Sequence, residues 1–251
     1  VSGHRLLARQ VGLEQRAFWR NPESAFFTFA LPVGLLLIFG AISSGDRVPG
    51  RTDISGLTLF VPGILAFGII VAAYGTLAAT ISTLRCEGVL KRLRATPLPP
   101  AIYLGGQLVS VLATSLLIAA TTIVLGRVAF DVAPRSPLLV AVALTLGITC
   151  FAALGLAIST VIRRPESSGA ITNGTYLPLA IVSGTFSSAL VLPVWLDHIV
   201  SIFPIKALTD SLRAAYDPAS SGVPIANLLV LAAWTIIGVV LARRFFRWDP
   251  S

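Results

Sequence analysis

Apolar residues run along this chain in long blocks that no charged residue interrupts, and short polar, often basic segments separate them. A helix that crosses a bilayer needs about 20 such residues. The pattern predicts six crossings, at 24–44, 57–83, 104–126, 137–162, 168–190 and 224–242. Between the last two, 191–216 is also apolar, but Pro193, Asp197, Pro204, Lys206 and Asp210 break it. That segment reads as short helices in a broken, re-entrant hairpin on one side of the membrane.

Two polar segments carry helical periodicity of their own. Within 1–22, Arg5, Arg9, Arg16 and Arg20 fall on one side of a helix, and Leu7, Val11 and Phe18 fall nearly opposite. This predicts an amphipathic helix lying in the membrane interface, broken at Asn21-Pro22 before the first crossing. Within 84–100, Cys86, Val89, Leu90 and Leu93 share a helix face among basic residues, and Pro97, Pro99 and Pro100 stop the helix.

Composition agrees with residence in lipid. The chain has 251 residues, 55% of them hydrophobic and only 12% charged, where a soluble domain carries about 25% charged residues. Mean hydropathy is +0.86. The expected fold class is an all-α membrane protein. The first 22 residues are polar, so no cleavable signal peptide is expected.

The net charge of +8 changes the picture through its distribution. Six crossings place both termini on one side. That side collects Arg5, Arg9, Arg16, Arg20, Arg85, Lys91, Arg92, Arg94, Arg163, Arg164, Arg243, Arg244 and Arg247. The other side holds Arg47, Arg51, Arg127, Arg135, Lys206 and Arg213, balanced by six acidic residues. The positive-inside rule then puts both termini in the cytoplasm of a multi-pass plasma-membrane protein. Nucleic acid is excluded as a partner, because the charge is scattered over short segments with no soluble domain to organise it.

Catalytic chemistry is not indicated. There is no G-x-x-x-x-G-K-[ST], H-E-x-x-H or G-x-S-x-G pattern. Cys86 and Cys150 lack metal-site spacing, and His4 and His198 fall on opposite faces, so no metal is expected. No ionisable residue lies near the middle of a predicted crossing. A self-contained ion-driven carrier places charge there. An active transporter of this composition draws its energy from another subunit, and the basic 84–100 segment is the docking candidate. The fifth crossing carries Thr172, Asn173, Thr175, Tyr176, Ser183, Thr185, Ser187 and Ser188, a set that suits either a polar pathway or interhelical packing.

Two stretches carry a family resemblance. Glu87-Gly88-Val89-Leu90-Lys91-Arg92-Leu93-Arg94-Ala95-Thr96-Pro97-Leu98 resembles the cytoplasmic segment of the ABC-2-type permeases, the membrane subunits of bacterial ABC exporters. Ser183-Gly184-Thr185-Phe186, Leu192-Pro193, Trp195-Leu196, Phe203-Pro204 and Asp210-Ser211-Leu212-Arg213 are similar to that family's region before its last crossing. The likeness is strongest to the antibiotic- or daunorubicin-resistance type. It departs at Lys91, where the family often has an acidic or neutral residue, and at Ser187-Ser188, which replace an aromatic-proline pair.

The resemblance implies a single transmembrane domain over 1–251, paired with a second permease subunit and with ABC ATPase subunits. ATP and Mg2+ would sit on the ATPase, with no cofactor on this chain. Arg85, Glu87, Gly88, Leu90, Lys91, Arg92, Leu93, Arg94 and Pro97 would form the coupling segment. Asn173, Tyr176, Ser183, Thr185 and Phe186 would line the substrate pathway. Pro193, Trp195, Pro204, Asp210 and Arg213 would form an external gate. The implied cargo is a small amphipathic, drug-like molecule, with lipid or glycan export as the alternative.

Overall fold

The structure, a computed structural model, describes residues 3–42, 47–48, 51–94, 100–162, 164–186, 193–220 and 222–245. Helix dominates. α1 (Gly3–Arg20) and α2 (Pro22–Ile42) meet at Asn21, where Pro22 opens the second helix at a position that needs no backbone donor. Trp19 stacks on Phe29 at 5.3 Å across the elbow. A short antiparallel ladder, β1 (Arg47–Val48) with β2 (Arg51–Ser55), follows α2. The apolar-block pattern did not predict it.

The next crossing is the axis of the molecule. α3 (Gly56–Ile69), a π-helical stretch (Ile70–Thr76) and α4 (Leu77–Cys86) form one continuous rod. Ile64, Leu65, Ile69, Ile70, Leu77 and Ile81 are completely buried along it. Lipid tails are as apolar as these side chains, so close packing and hydrogen bonds hold the helices together here. Small residues supply the close approaches. A Cβ on Gly63 would lie 2.0 Å from the Thr185 carbonyl oxygen. Against the rod pack α2, α6 (Pro100–Phe130), α7 (Pro137–Ser159), α8 (Ser168–Val182) and α10 (Pro204–Tyr216); α11 (Ile225–Phe245) packs on α7 and α10, α5 (Val89–Arg94) follows α4, and α9 (Val194–Ser201) lies beside α10.

Both ends of the bundle can be traced from contacts. At one end the Arg85 guanidinium donates to the Ile162 carbonyl, joining the ends of α4 and α7. α1 lies there against the first turns of α6, with Gln15 Nε2 within 2.8–3.1 Å of the Ser110 carbonyl, Ser110 Oγ and Thr114 Oγ1. At the other end the amides of Arg135 and Ser136, before α7, donate to the Ala215 carbonyl of α10. Ser136 caps α7 by accepting from the Leu139 amide, and Pro137 opens it.

Two predicted elements need correction. Among the described residues five helices, not six, are long and apolar enough to cross a membrane by themselves. The predicted crossing 168–190 stops at Val182: Ser183–Phe186 turn away through Gly184 at φ +70°, and 187–192 lie outside the described residues. The turn after α8 still reaches Gly63 through Thr185, about 10 Å short of the start of α3 at 1.5 Å per residue. The chain order of ends is therefore that of six passages, one of them truncated. The second correction is at 84–100. Its helix is broken, because Arg85 and Cys86 belong to α4 and Gly88 turns the chain at φ +69° before α5 begins.

The predicted amphipathic helix is present as α1, but α6 covers part of its apolar face. Leu7 lies over Gly105, and Gln10 fits where Gly106 has no side chain. Arg5, Arg9, Arg16 and Arg20 all face outward.

Candidate functional site

The turn between α4 and α5 presents a compact polar knob. Glu87, Lys91 and Arg92 are exposed, and Leu90 on the same turn is fully buried. Arg92 Nη2 donates to the Glu87 carbonyl at 3.1 Å, closing the turn that Gly88 opens. A residue with a side chain is strained at the Gly88 conformation. Arg85 points the other way. It is 3% exposed and inside the bundle. Leu93 and Arg94 complete α5, and Pro97 lies outside the described residues.

The predicted pathway residues divide into two groups. Asn173 and Tyr176 border a polar cavity of about 550 Å³ enclosed by α1, α2, the rod, α6 and α8. Thr28, Thr76, Thr80, Gln107 and Ser110 give it hydroxyl and amide walls, and Glu14 is its acidic group. Burial pushes the Glu14 carboxyl above its ordinary range, opposed by hydrogen bonds from Gln10 and Gln107. Ser183, Thr185 and Phe186 are elsewhere, where the turn after α8 meets α3 and α10. Thr185 Oγ1 lies 3.2 Å from Thr209 Oγ1, and Phe186 packs edge-on against Phe67 at 4.9 Å.

Tyr176 stands between this cavity and a larger one of about 1090 Å³ bounded by α7, α8, α11 and the tip of α10. Its ring is held between Phe67 at 6.1 Å and Tyr74 at 6.2 Å. Tyr74 projects from the π stretch and its hydroxyl lies 2.7 Å from Thr175 Oγ1 of α8. π-helical stretches gather at functional sites, but a single apolar run does not signal one.

The predicted gate residues are all on the α9–α10 hairpin, and the hairpin enters the bundle. Trp234 Nε1, near the midpoint of α11, donates to the Ile202 carbonyl at its tip, and Phe203 stacks on the Trp234 ring at 6.2 Å. Pro193 and Trp195 are exposed; Pro204 is buried as the first residue of α10. Arg213 anchors α10, donating from Nε to the Leu59 carbonyl at 3.1 Å and from Nη2 to the Gly184 carbonyl at 2.5 Å. Lys206 pairs with Asp197 at 3.0 Å and with Asp210 at 3.3 Å. The pattern of charge-free blocks placed these groups outside the membrane. The fold packs them against one another, α3 and the turn after α8, in a set that sums to zero.

The sequence profile of the ABC-2 type transporter matches residues 11–216, which include every described element from α2 to α10. The chain belongs to the ABC-2 type transporter family. It is similar to the "Putative transport permease YvfS" of Bacillus subtilis (strain 168), 22% identical over 241 residues, covering 95% of this chain and 96% of that protein. It is also similar to the "Inner membrane transport permease YadH" of Escherichia coli (strain K12), 24% identical over 184 residues, 72% of this chain and 70% of that one.

The ABC-2 assignment makes this an all-α, multi-pass membrane permease subunit of an ABC transporter, a class that works in the bilayer with an ABC ATPase. Within that frame the α4–α5 knob and the α9–α10 hairpin lie at opposite ends of one buried rod.

Proposed function

We propose that this ABC-2 permease is the membrane half of an exporter of the antibiotic-resistance type, driven by an ATPase that docks on the α4–α5 knob. The observation that carries this is the arrangement of Glu87, Lys91 and Arg92 outside with Leu90 buried beneath them. A docked subunit pushing on these exposed groups pushes on α4, and α4 is continuous with the buried rod. ATP and Mg2+ belong to the ATPase in this reading, and this chain has no catalytic residue. The exposed arginines of α1 and α11 share the knob's end, which supports a cytoplasmic assignment for it by the positive-inside rule.

A second permease subunit completes the unit. α2 and α11 bury only 22% and 17% of their apolar windows within one chain, which leaves faces for lipid and for that second copy or homologue. The cargo is a small amphipathic molecule that reaches the polar cavity at Asn173 and Tyr176 beside α1 and α2. Pro193, Trp195, Pro204, Asp210 and Arg213 act as the external gate through the position of the α9–α10 hairpin.

The test uses the permease–ATPase complex in vesicles. Glu87→Ala and Arg92→Glu should leave the complex assembled and hydrolysing ATP while efflux falls about tenfold or more, as expected when a docking contact worth ~1.4 kcal/mol or more is removed. Unchanged coupled efflux in both variants would overturn the docking assignment.

A further inference from the structure

The larger cavity has features that transport does not require. Its walls are apolar: Phe151, Leu154 and Ile158 from α7, Val161 just after it, Leu179 from α8, and Leu241 from α11. Arg85 and Arg164 close one end, and no Asp or Glu lines it among the described residues. Phe203, Pro204 and Trp234 close the other. Along α11 the cleft runs from Phe245 to Trp234, about 16 Å at 1.5 Å per residue. Half of a hydrocarbon core of ~30 Å is about the same length.

The cationic end is incompletely satisfied. Arg85 is 97% buried in effect, being 3% exposed, and its Nη2 serves the Ile162 carbonyl. Its Nε–H has no hydrogen-bond partner among the described residues. A buried donor of this kind costs stability unless something accepts from it. Arg164 is exposed at the same mouth and adds a second positive charge.

We infer that this cleft is a binding site for an anionic phospholipid, with its phosphate between Arg85 and Arg164 and an acyl chain against Phe151, Ile158 and Leu241 down to Trp234. Guanidinium groups match phosphate oxygens in charge and geometry. A one-leaflet depth ending at the hairpin tip suits an acyl chain. Assigning that leaflet to the cytoplasmic side rests on the orientation proposed above; the site itself does not.

Trp234 reports on the occupant directly. The full chain carrying Trp19→Phe, Trp195→Phe and Trp248→Phe is placed in phosphatidylcholine vesicles containing a small fraction of lipid brominated at mid-chain. Brominated phosphatidylglycerol should quench Trp234 with an apparent affinity about tenfold above brominated phosphatidylcholine, the preference that one charge-assisted contact of ~1.4 kcal/mol provides. Arg164→Gln at the exposed mouth and Ala157→Phe inside the cleft should each remove that preference. Equal quenching by the two lipids, or a preference that survives both substitutions, would overturn the site. Displacement of the quencher by millimolar inorganic phosphate would overturn the lipid assignment in favour of a free anion. Native mass spectrometry of the wild-type chain supplies a reading without tryptophan replacement: phosphatidylglycerol adducts should outlast phosphatidylcholine adducts, and Arg164→Gln should equalise them. These readouts do not depend on which leaflet faces the cytoplasm or on ATP, so failure of the exporter reading would leave them unchanged.

Discussion

Gly155 of α7 lies so close to Ala73 that a Cβ on the glycine would stand 2.9 Å from the Ala73 carbonyl oxygen. The Tyr74 carbonyl would be 3.0 Å away. α7 therefore rests backbone to backbone on the π-helical stretch. Gly155→Ala should destabilise the protein by about 1–3 kcal/mol, the usual range for overpacking. Gly75→Ala, in the same stretch but with no atom of another described element within 4 Å of its Cβ position, should be close to neutral. Thermal unfolding in detergent compares the two, and equal midpoints would count against the contact.

Arg213 ties three elements together by serving the Leu59 and Gly184 carbonyls from α10. Arg213→Met leaves both acceptors without it and should cost about 2–4 kcal/mol, since bonds to charged groups are worth ~1.5–3 kcal/mol each and some water can enter. Arg213→Lys keeps the charge but not the fork, so it should recover only part of the loss. Unfolding midpoints of the two variants rank them, and identical midpoints would show that charge alone matters.

Lys206 should couple α9 to α10 through Asp197, which is about half exposed. The expected coupling energy in a Lys206→Met, Asp197→Asn double-mutant cycle is about 1 kcal/mol or less, as for other partly exposed pairs. A zero coupling would mean that apolar packing alone holds α9.

Glu14 makes the docking of α1 on α6 depend on pH. Burial raises its carboxyl pKa above the ordinary 4.5 in the folded state. A raised carboxyl favours the protonated folded form. The stabilising contribution is full below the ordinary value and is lost as pH rises through the raised one. Amide exchange of α1, corrected for intrinsic rates, should slow on going from neutral to acid pH. Glu14→Gln should remove that pH dependence, and its persistence would assign the effect to another group.

The crossings were legible because lipid imposes one requirement, a long apolar helix, and five blocks meet it with bounds within a few residues. The truncation of α8 was not, because Ser183-Gly184 stops the helix inside an unbroken apolar block, and apolar length alone is blind to a glycine turn. The hairpin was legible as broken, since Pro193 and Pro204 sit at its helix starts. Its contacts were not, because the spacing of Lys206, Asp197, Asp210 and Arg213 shows neither the ion pairs of Lys206 nor the carbonyls that Arg213 serves. Within 84–100 the residue types pointed to one basic helix. Gly88 splits it and sends Arg85 inward while Glu87 and Arg92 stay out. The π stretch left no mark in the apolar pattern, since its residues are as hydrophobic as their neighbours.

That stretch sets an angular phase. Upstream of it the rod packs mainly on α2, α6 and α10; downstream, on α7 and α8. Each residue added to or taken from an α-helix turns everything beyond it by about 100°. The i→i+5 bonding of Ile70–Thr76 thus fixes the bearing of the Glu87 turn relative to Gly63 at the far end of the rod. Closing the stretch to α-helical bonding with all seven residues kept would swing that turn by about 100° around the axis, whereas deleting one residue as the bonding closes would leave its bearing in place. Seven residues thus set the rotational register between the two ends of the rod.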